Sequence, residues 1–410
     1  MRFLFGNFTI DPDRRELLRD ATPVHVEPQV FDLILHLVRS REHVVSKDEL
    51  LANVWGGRIV SESTLSNRIN AARRALGDSG EQQQLIKTIA RRGLRFVGEV
   101  REEKLDAPYP AGAAAEPASR RTQLPAVPPQ EVTFCHTPDG VNLAVATSGH
   151  GVPVVRATNW LNHIEFDWQS PVWLPLFTRL SEKFRLVRYD GRANGLSDWD
   201  VKELSIEAAV RDMETVVDTL GLERFALFGM SYGAAVSICY AVRHPERISH
   251  LILSGGYAQG WIERGNPEEI ARRAALVVLI RNGWGLDTPA FRQVFTSCYV
   301  PDATAEEMKW FNDLQRMSAS PENAARLMEI YSDIDIVELL PRVAAPTLVL
   351  HSRGDAAIPF NQGLLLARSI PNARFVALES KNHIILSHEP AWERYTQEIC
   401  DFLTMHGQPD

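Results

Sequence analysis

The chain opens with short runs in which apolar and polar residues alternate, Arg2-Phe3-Leu4-Phe5 and Phe8-Thr9-Ile10, split by Gly6-Asn7 and followed by Asp11-Pro12-Asp13. Period-two runs bounded by turn residues predict a small antiparallel sheet. The period then becomes helical. Residues 28–38 repeat apolar positions at that spacing, and Ser46-Lys47-Asp48-Glu49 has the form of a capping box opening a second helix to Trp55. A third helix is predicted over 61–76, with Leu65, Ile69, Ala72 and Leu76 on one face and Asn67, Arg68, Asn70, Arg73 and Arg74 on others. Residues 85–89 and 94–97 flank Ala90-Arg91-Arg92-Gly93 and predict a hairpin with a basic tip.

Periodicity disappears between Arg101 and Gln130, where Pro and Ala dominate, so these residues read as a semi-rigid tether. Beyond it, a hairpin is predicted over 132–147 around the turn Pro138-Asp139-Gly140. Short apolar runs follow at 152–157, 184–189, 225–228, 251–254, 347–350 and 375–378, with helical segments between them. Apolar runs of this length, alternating with helices, predict buried parallel strands of an α/β domain. Residues 257–340 interrupt the alternation and carry many aromatics and methionines, among them Trp261, Trp284, Phe295, Tyr299, Phe311, Met328 and Tyr331. They are expected to form a helical cap over an apolar pocket, with most of these side chains in the cap's own core. The expected organisation is therefore a head (1–100), a linker (101–130) and a body (131–405).

Charge changes this picture in one place. The 410 residues carry a net charge of −8. Residues 1–100, however, hold 15 Lys and Arg against 13 Asp and Glu, and the 41 residues from Trp55 to Arg95 hold eight against three. The third helix and the hairpin are thus a basic unit suited to phosphates. The four cysteines are widely spaced and make no CxxC or Cys/His pattern, so no disulfide framework, metal site or cofactor is expected. No apolar run is long enough to span a membrane, and the first residues lack the apolar core of a signal peptide, so a cytoplasmic protein is expected.

A helix pair whose second helix is basic outward, followed by a basic hairpin, has the form that enters a major groove and touches the adjacent backbone. The element order, the Trp55 position and the Arg73-Arg74-Ala75-Leu76-Gly77 ending resemble the OmpR/PhoB-type winged helix over nearly all of residues 1–100. The resemblance implies double-stranded DNA as partner. It puts Ser63, Thr64, Asn67, Arg68, Ala71 and Arg74 on or near the DNA face of helix 61–76, with Arg73 in the same contact set. Lys87, Thr88, Arg91 and Arg92 would serve the wing. Ala90-Arg91 stands where the family often has Arg-Gly, which displaces the wing arginine by one position. A winged helix used only for protein contact is the bland alternative.

In the body, Gly229-Met230-Ser231-Tyr232-Gly233 lies between an apolar strand and a helical segment. Glycines on either side let the chain turn sharply with a serine at the tip, as a nucleophile requires. A serine needs a base, and the base needs an acid to orient it. Asp355 and His383 each follow a predicted strand, with His388 as a second candidate base. The order Ser, Asp, His and the run Asp190-Gly191-Arg192-Ala193-Asn194-Gly195-Leu196-Ser197 resemble the α/β-hydrolases over about residues 131–405, with Ala193 in place of one glycine. The resemblance implies a triad of Ser231, Asp355 and His383, and an oxyanion hole from the backbone N–H groups of Tyr232 and Trp160. Thr158 and Asn159 stand where many relatives carry His and Gly, so slow turnover, or a loop shaped to hold a ligand, is expected.

The fold class expected is multidomain: an N-terminal α+β winged helix and a C-terminal α/β-hydrolase fold with a helical cap. The favoured reading is a DNA-binding transcription regulator whose body senses, and can hydrolyse, a small-molecule effector such as an ester or lactone. A homodimer and a contact with RNA polymerase are compatible further partners. The alternative from another class is a serine hydrolase with an accessory DNA-binding domain; a dimerisation scaffold with a vestigial pocket is a third.

Overall fold

The structure, a computed structural model, describes residues 2–12, 16–20, 22–24, 26, 28–54, 62–78, 82–89, 92–103, 129–286 and 288–404. Its contacts divide the chain into two compact units, Met1–Arg121 and Thr122–Asp410.

In the first unit, a five-stranded antiparallel sheet runs in the order Thr22–Val24, Glu16–Arg19, Phe8–Asp11, Arg2–Phe5, Arg101–Glu103. Composition puts residue 101 in the tether, yet Arg101-Glu102-Glu103 pairs with Arg2–Leu4. An open sheet edge accepts any extended segment through its backbone groups, and a run without apolar residues leaves no periodic trace of such pairing. The rest of the linker to residue 128, together with Trp55 and Arg91, lies outside the described residues. Three helices follow the sheet, Pro28–Arg39, Lys47–Val54 and Glu62–Ala75. The first buries Val30, Phe31, Leu33, Ile34, Leu37 and Val38, and the third packs Leu65 and Ala72 into the same core. Half of the capping box forms: Ser46 Oγ accepts the Glu49 N–H at 3.1 Å, while the Glu49 carboxylate meets His43 at 2.9 Å. Ile86–Ile89 and Gly93–Phe96 make the wing hairpin.

The second unit is built on an eight-stranded sheet. Across it run Ala373–Leu378, Thr347–Ser352, Ile248–Ser254, Phe225–Met230, Pro153–Arg156, Arg185–Tyr189, Asn142–Ser148 and Gln130–His136. The first six are parallel, and Asn142–Ser148 pairs antiparallel with both its neighbours, Arg185–Tyr189 and Gln130–His136. From Pro153–Arg156 the chain adds Arg185–Tyr189 on one side and Phe225–Met230 on the other, so the strand order reverses there. In open α/β sheets such a reversal leaves a crevice beyond the strand C-termini, where ligands bind. Residues 157–160 and Ser231 both leave the sheet at this crevice. Beneath it, strands 153–156 and 185–189 bury Arg156 and Arg188, whose guanidinium groups stack on Trp173 at 4.6 Å and Trp168 at 4.7 Å. Burial raises the neighbouring Asp190 carboxyl to about 7, although the backbone N–H groups of Ile164 and Leu196 donate to it.

Between Ile248–Ser254 and Thr347–Ser352 the chain inserts four helices, Pro267–Gly283, Ala290–Tyr299, Ala305–Ser318 and Pro321–Ile330. Asn266, Thr304 and Ser320 cap three of them through their side-chain oxygens. Trp284, Phe295, Phe311, Leu314 and Met328 form their shared core.

Candidate functional site

Ser231 occupies the one-residue turn between strand Phe225–Met230 and helix Tyr232–Arg243, with φ 53° and ψ −122°. L-residues rarely adopt this conformation, so the turn is strained. The flanking glycines are steric requirements. A Cβ on Gly229 would lie 2.5 Å from both Gly233 O and Ser237 Oγ, and one on Gly233 would lie 2.6 Å from Thr158 O. The Ser231 N–H donates to Ser254 O at 3.0 Å, tying the turn to the end of the adjacent strand.

The next residue of that strand connection, Gly255, receives the edge of His383: a Cβ there would stand 2.8 Å from the imidazole Cε1. Ser231 and His383 thus meet adjacent residues, Ser254 and Gly255, at the end of one strand. Asp355 completes the group. Its Oδ1 accepts the N–H groups of Ala357 and Ile358, each at 2.9 Å, and its Oδ2 lies 2.6 Å from His383 Nδ1. Burial pushes the Asp355 carboxyl up. The facing His383 and the hydrogen bonds from His383 and Ile358 outweigh burial and hold it below the usual carboxylate value. An ionised carboxylate only accepts, so Nδ1 carries the proton and Nε2 is the free basic nitrogen. That Nε2 is buried and, among the described residues, has no hydrogen-bond partner, so its bond to Ser231 is not made in this state. Such bonds are often loose before substrate arrives. His388, the other candidate base, is exposed and faces Glu307 of the cap at 3.3 Å, away from this group.

Sequence reasoning misses a third histidine. His351 lies 3.6 Å from Asp355 Oδ2 and 3.1 Å from Ile358 O, and burial lowers its pKa, so it stays neutral beside the carboxylate. It also misses how the cap meets His383 and the Trp160 loop. The Trp160 ring packs against Trp284 at 5.5 Å, Phe295 at 5.7 Å and Tyr299 at 5.6 Å, and its Nε1–H donates to Ala324 O. Tyr299 in turn stands edge-on to His383 at 5.5 Å and accepts the His383 N–H through its backbone oxygen. An aromatic cage therefore joins the cap, the loop carrying Trp160, and His383; the richness of 257–340 in aromatics is its only trace in the sequence.

Of the two expected oxyanion donors, Tyr232 N–H is at the first position of its helix, where no intrahelical acceptor exists. The Trp160 N–H is engaged: it donates to the Asn159 side-chain Oδ1 at 2.8 Å. Arg192, from the loop that resembles the hydrolase motif, is buried and pairs with Asp212 at 2.7 Å and Asp139 at 2.9 Å, fixing the crevice wall. Ala193, where a glycine is usual, adopts φ 67°.

On the first unit, Arg74, Lys87, Thr88 and Arg92 are exposed, and Arg68 and Ala71 are half-buried. The side chains of Ser63, Thr64 and Asn67, like Arg91, lie outside the described residues. Arg73 must be taken out of the expected DNA-facing set. It is 6% exposed, and its guanidinium donates to Ile86 O at 3.1 Å and Thr88 Oγ1 at 2.7 Å. Asp78, just past the helix, accepts the N–H groups of Gln84, Leu85 and Ile86, each at 2.9 Å. Together Arg73 and Asp78 lock the wing against the third helix, so that the exposed cations of both elements hold a fixed spacing.

These geometries define a hydrolase-type fold with a strained serine turn and a nearby His–Asp pair, joined in one chain to a winged helix. Comparison with known proteins agrees. A family model for the alpha/beta hydrolase fold matches residues 166–390, and one for transcriptional regulatory protein, C terminal, matches residues 21–96. The chain belongs to the α/β hydrolase fold family and carries a DNA-binding regulatory domain ahead of it. It is 28% identical over 253 residues to the AB hydrolase superfamily protein YisY of Bacillus subtilis, covering 61% of this chain and 91% of YisY. It is 25% identical to a putative carbamate hydrolase, RutD, of Agrobacterium fabrum, covering 62% of this chain and 96% of that protein. Among solved structures, the enol-lactonase from Burkholderia xenovorans superposes with a TM-score of 0.54 at 24% identity, covering 66% of this chain and all of that one. The last shows the shared fold. Among the described residues, no helix is long and apolar enough to cross a membrane.

Proposed function

We propose that this protein is a one-component transcription regulator in which a small acyl compound, an ester, lactone or carbamate, enters the crevice above Ser231 and changes how the winged helix engages DNA. The observation that carries the reading is the presence in one chain of two assemblies. One is a wing and helix locked by Arg73 and Asp78 with Arg74, Lys87 and Arg92 outward. The other is the Ser231, His383 and Asp355 group under an aromatic cap. Arg74, Lys87 and Arg92 supply phosphate contacts, hence affinity and salt dependence. Switching requires that the compound bind the DNA-competent and incompetent states with different affinity. A homodimer on a two-fold operator, a contact with RNA polymerase and a cytoplasmic location belong to the same reading.

A second reading, a serine hydrolase with an accessory DNA-binding head, is favoured by the strain at Ser231, which binding alone does not need. In either reading the chemistry is the same. His383 Nε2 takes the Ser231 proton as Oγ attacks the carbonyl carbon, and Asp355 stabilises the imidazolium. The proton passes to the departing oxygen or nitrogen as the acyl-serine forms, and water, activated by His383, then releases the acid.

The test is DNA binding by the full chain and by Ser231→Ala on the promoter region beside its own gene, with and without a panel of esters, lactones and carbamates. Altered affinity in both proteins supports the sensor. Consumption of a compound by the wild type alone, with no effect on DNA binding, supports the hydrolase. No salt-dependent DNA binding by the full chain would remove the regulator reading.

A further inference from the structure

The loop Ala157–His163 is held at several points. Thr158 O is in close contact with Gly233, and Thr158 Oγ1 is packed against Gly191. Asn162 Oδ1 accepts the Asn159 N–H at 2.5 Å and the Thr158 hydroxyl at 3.1 Å. The Trp160 side chain is caged by three cap aromatics and anchored to Ala324 O. Within this fixed frame, the Asn159 amide oxygen takes the Trp160 N–H at 2.8 Å.

We infer that Asn159 is a built-in latch on the oxyanion hole: its side-chain oxygen occupies the Trp160 N–H in the resting protein and must rotate away before that N–H can stabilise a developing oxyanion. The inference rests on the reading of Ser231 as nucleophile. Because the backbone on both sides is packed, the side chain of Asn159 is the part of the loop able to move. A neutral ester carbonyl is no better an acceptor than an amide oxygen, so substrate in its ground state does not open the latch. A tetrahedral oxyanion or an anionic analogue is the better acceptor, since charge-assisted hydrogen bonds are roughly twice as strong as neutral ones. The latch thus lets a ligand reside in the crevice while its cleavage stays slow, as a sensor needs. Breaking a neutral hydrogen bond in the transition state slows a step about tenfold, and full loss of one oxyanion donor slows it by roughly 10²–10³. Asn159 acts through the Trp160 N–H and is a positioning residue, working here in the negative sense.

The experiment measures the second-order rate of Ser231 labelling by an alkyl fluorophosphonate in the full chain. In that reaction Ser231 Oγ forms a bond to phosphorus, fluoride leaves, and His383 takes the serine proton. Asn159→Gly and Asn159→Ala, which delete the acceptor, are expected to label about tenfold faster than wild type. Asn159→Asp, which puts a charged acceptor on the same N–H, is expected to label at least tenfold slower. A merely structural role for Asn159 slows all three, and near-UV circular dichroism checks that each is folded. If the wild type labels and neither the Gly nor the Ala variant is faster, the latch is overturned while the nucleophile stands. If no protein labels, wild type included, the latch and the nucleophile reading fall together.

Discussion

Replacing Ser231 by glycine removes the proposed nucleophile and also the backbone strain at that turn. Ser231 stands at φ 53° and ψ −122°, outside the regions open to a residue with a Cβ. Holding a non-glycine residue in such a conformation costs about 1–3 kcal/mol. Glycine relieves that cost but has greater freedom in the unfolded chain, worth roughly 0.5–1 kcal/mol. At the centres of these ranges the difference favours the folded glycine variant by about 1.2 kcal/mol. Ser231→Ala is the control, because it loses the hydroxyl but keeps the Cβ and hence the strain. With a urea slope of about 3 kcal/mol per molar, Ser231→Gly is expected to raise the unfolding midpoint of the second unit by ~0.4 M over Ser231→Ala, while both abolish labelling. The assay is equilibrium urea unfolding followed by tryptophan fluorescence; all nine tryptophans but Trp55 lie in the second unit. A glycine variant no more stable than the alanine variant would refute the idea that the fold stores strain at Ser231.

Four further outcomes follow from named residues. Arg192→Met leaves Asp212 buried without its partner and is expected to cost about 3–5 kcal/mol; Arg192→Met with Asp212→Leu should recover part of that loss in the same urea assay, and no recovery would argue against the pairing as the cause. Arg74→Ala is expected to weaken binding to all DNA sequences alike and to lower the log–log salt slope by about one, without changing stability. Arg73→Ala instead strips Ile86 O of its donor and costs the head about 1–3 kcal/mol in thermal unfolding, so equal stability of the two variants would contradict the burial of Arg73. The Arg192 guanidinium holds the Asp139 carboxyl down at about 2. A depressed carboxyl stabilises the fold above its unfolded value near 4 and loses that contribution as pH falls toward 2; Asp139→Asn should flatten this part of the stability profile, measured by urea midpoints at pH 2–5.

The amino-acid sequence by itself determined the order of domains, the eight strands of the body, the three helices and wing of the head, and the Ser, Asp, His order. Each of these is written locally. Alternating and helical periods, turn residues around Gly229–Gly233 and the composition shift after Arg101 act within a few residues of one another, so no distant contact is needed to read them. Tertiary structure decided what each polar side chain does. Arg73 and Arg74 are adjacent and alike in sequence, yet one faces the wing strand and the other solvent, because Ile86 folds back over the helix. His383 is the favoured base and His388 the second candidate in the sequence; in the fold the Asp355 loop holds the first and Glu307 draws off the second. The cage around Trp160 joins residues more than a hundred positions apart, and the Asn159 oxygen meets the Trp160 N–H because that cage and Gly233 hold the loop in one shape. Long-range packing fixes which hydrogen bonds a side chain can reach, and no local pattern records it.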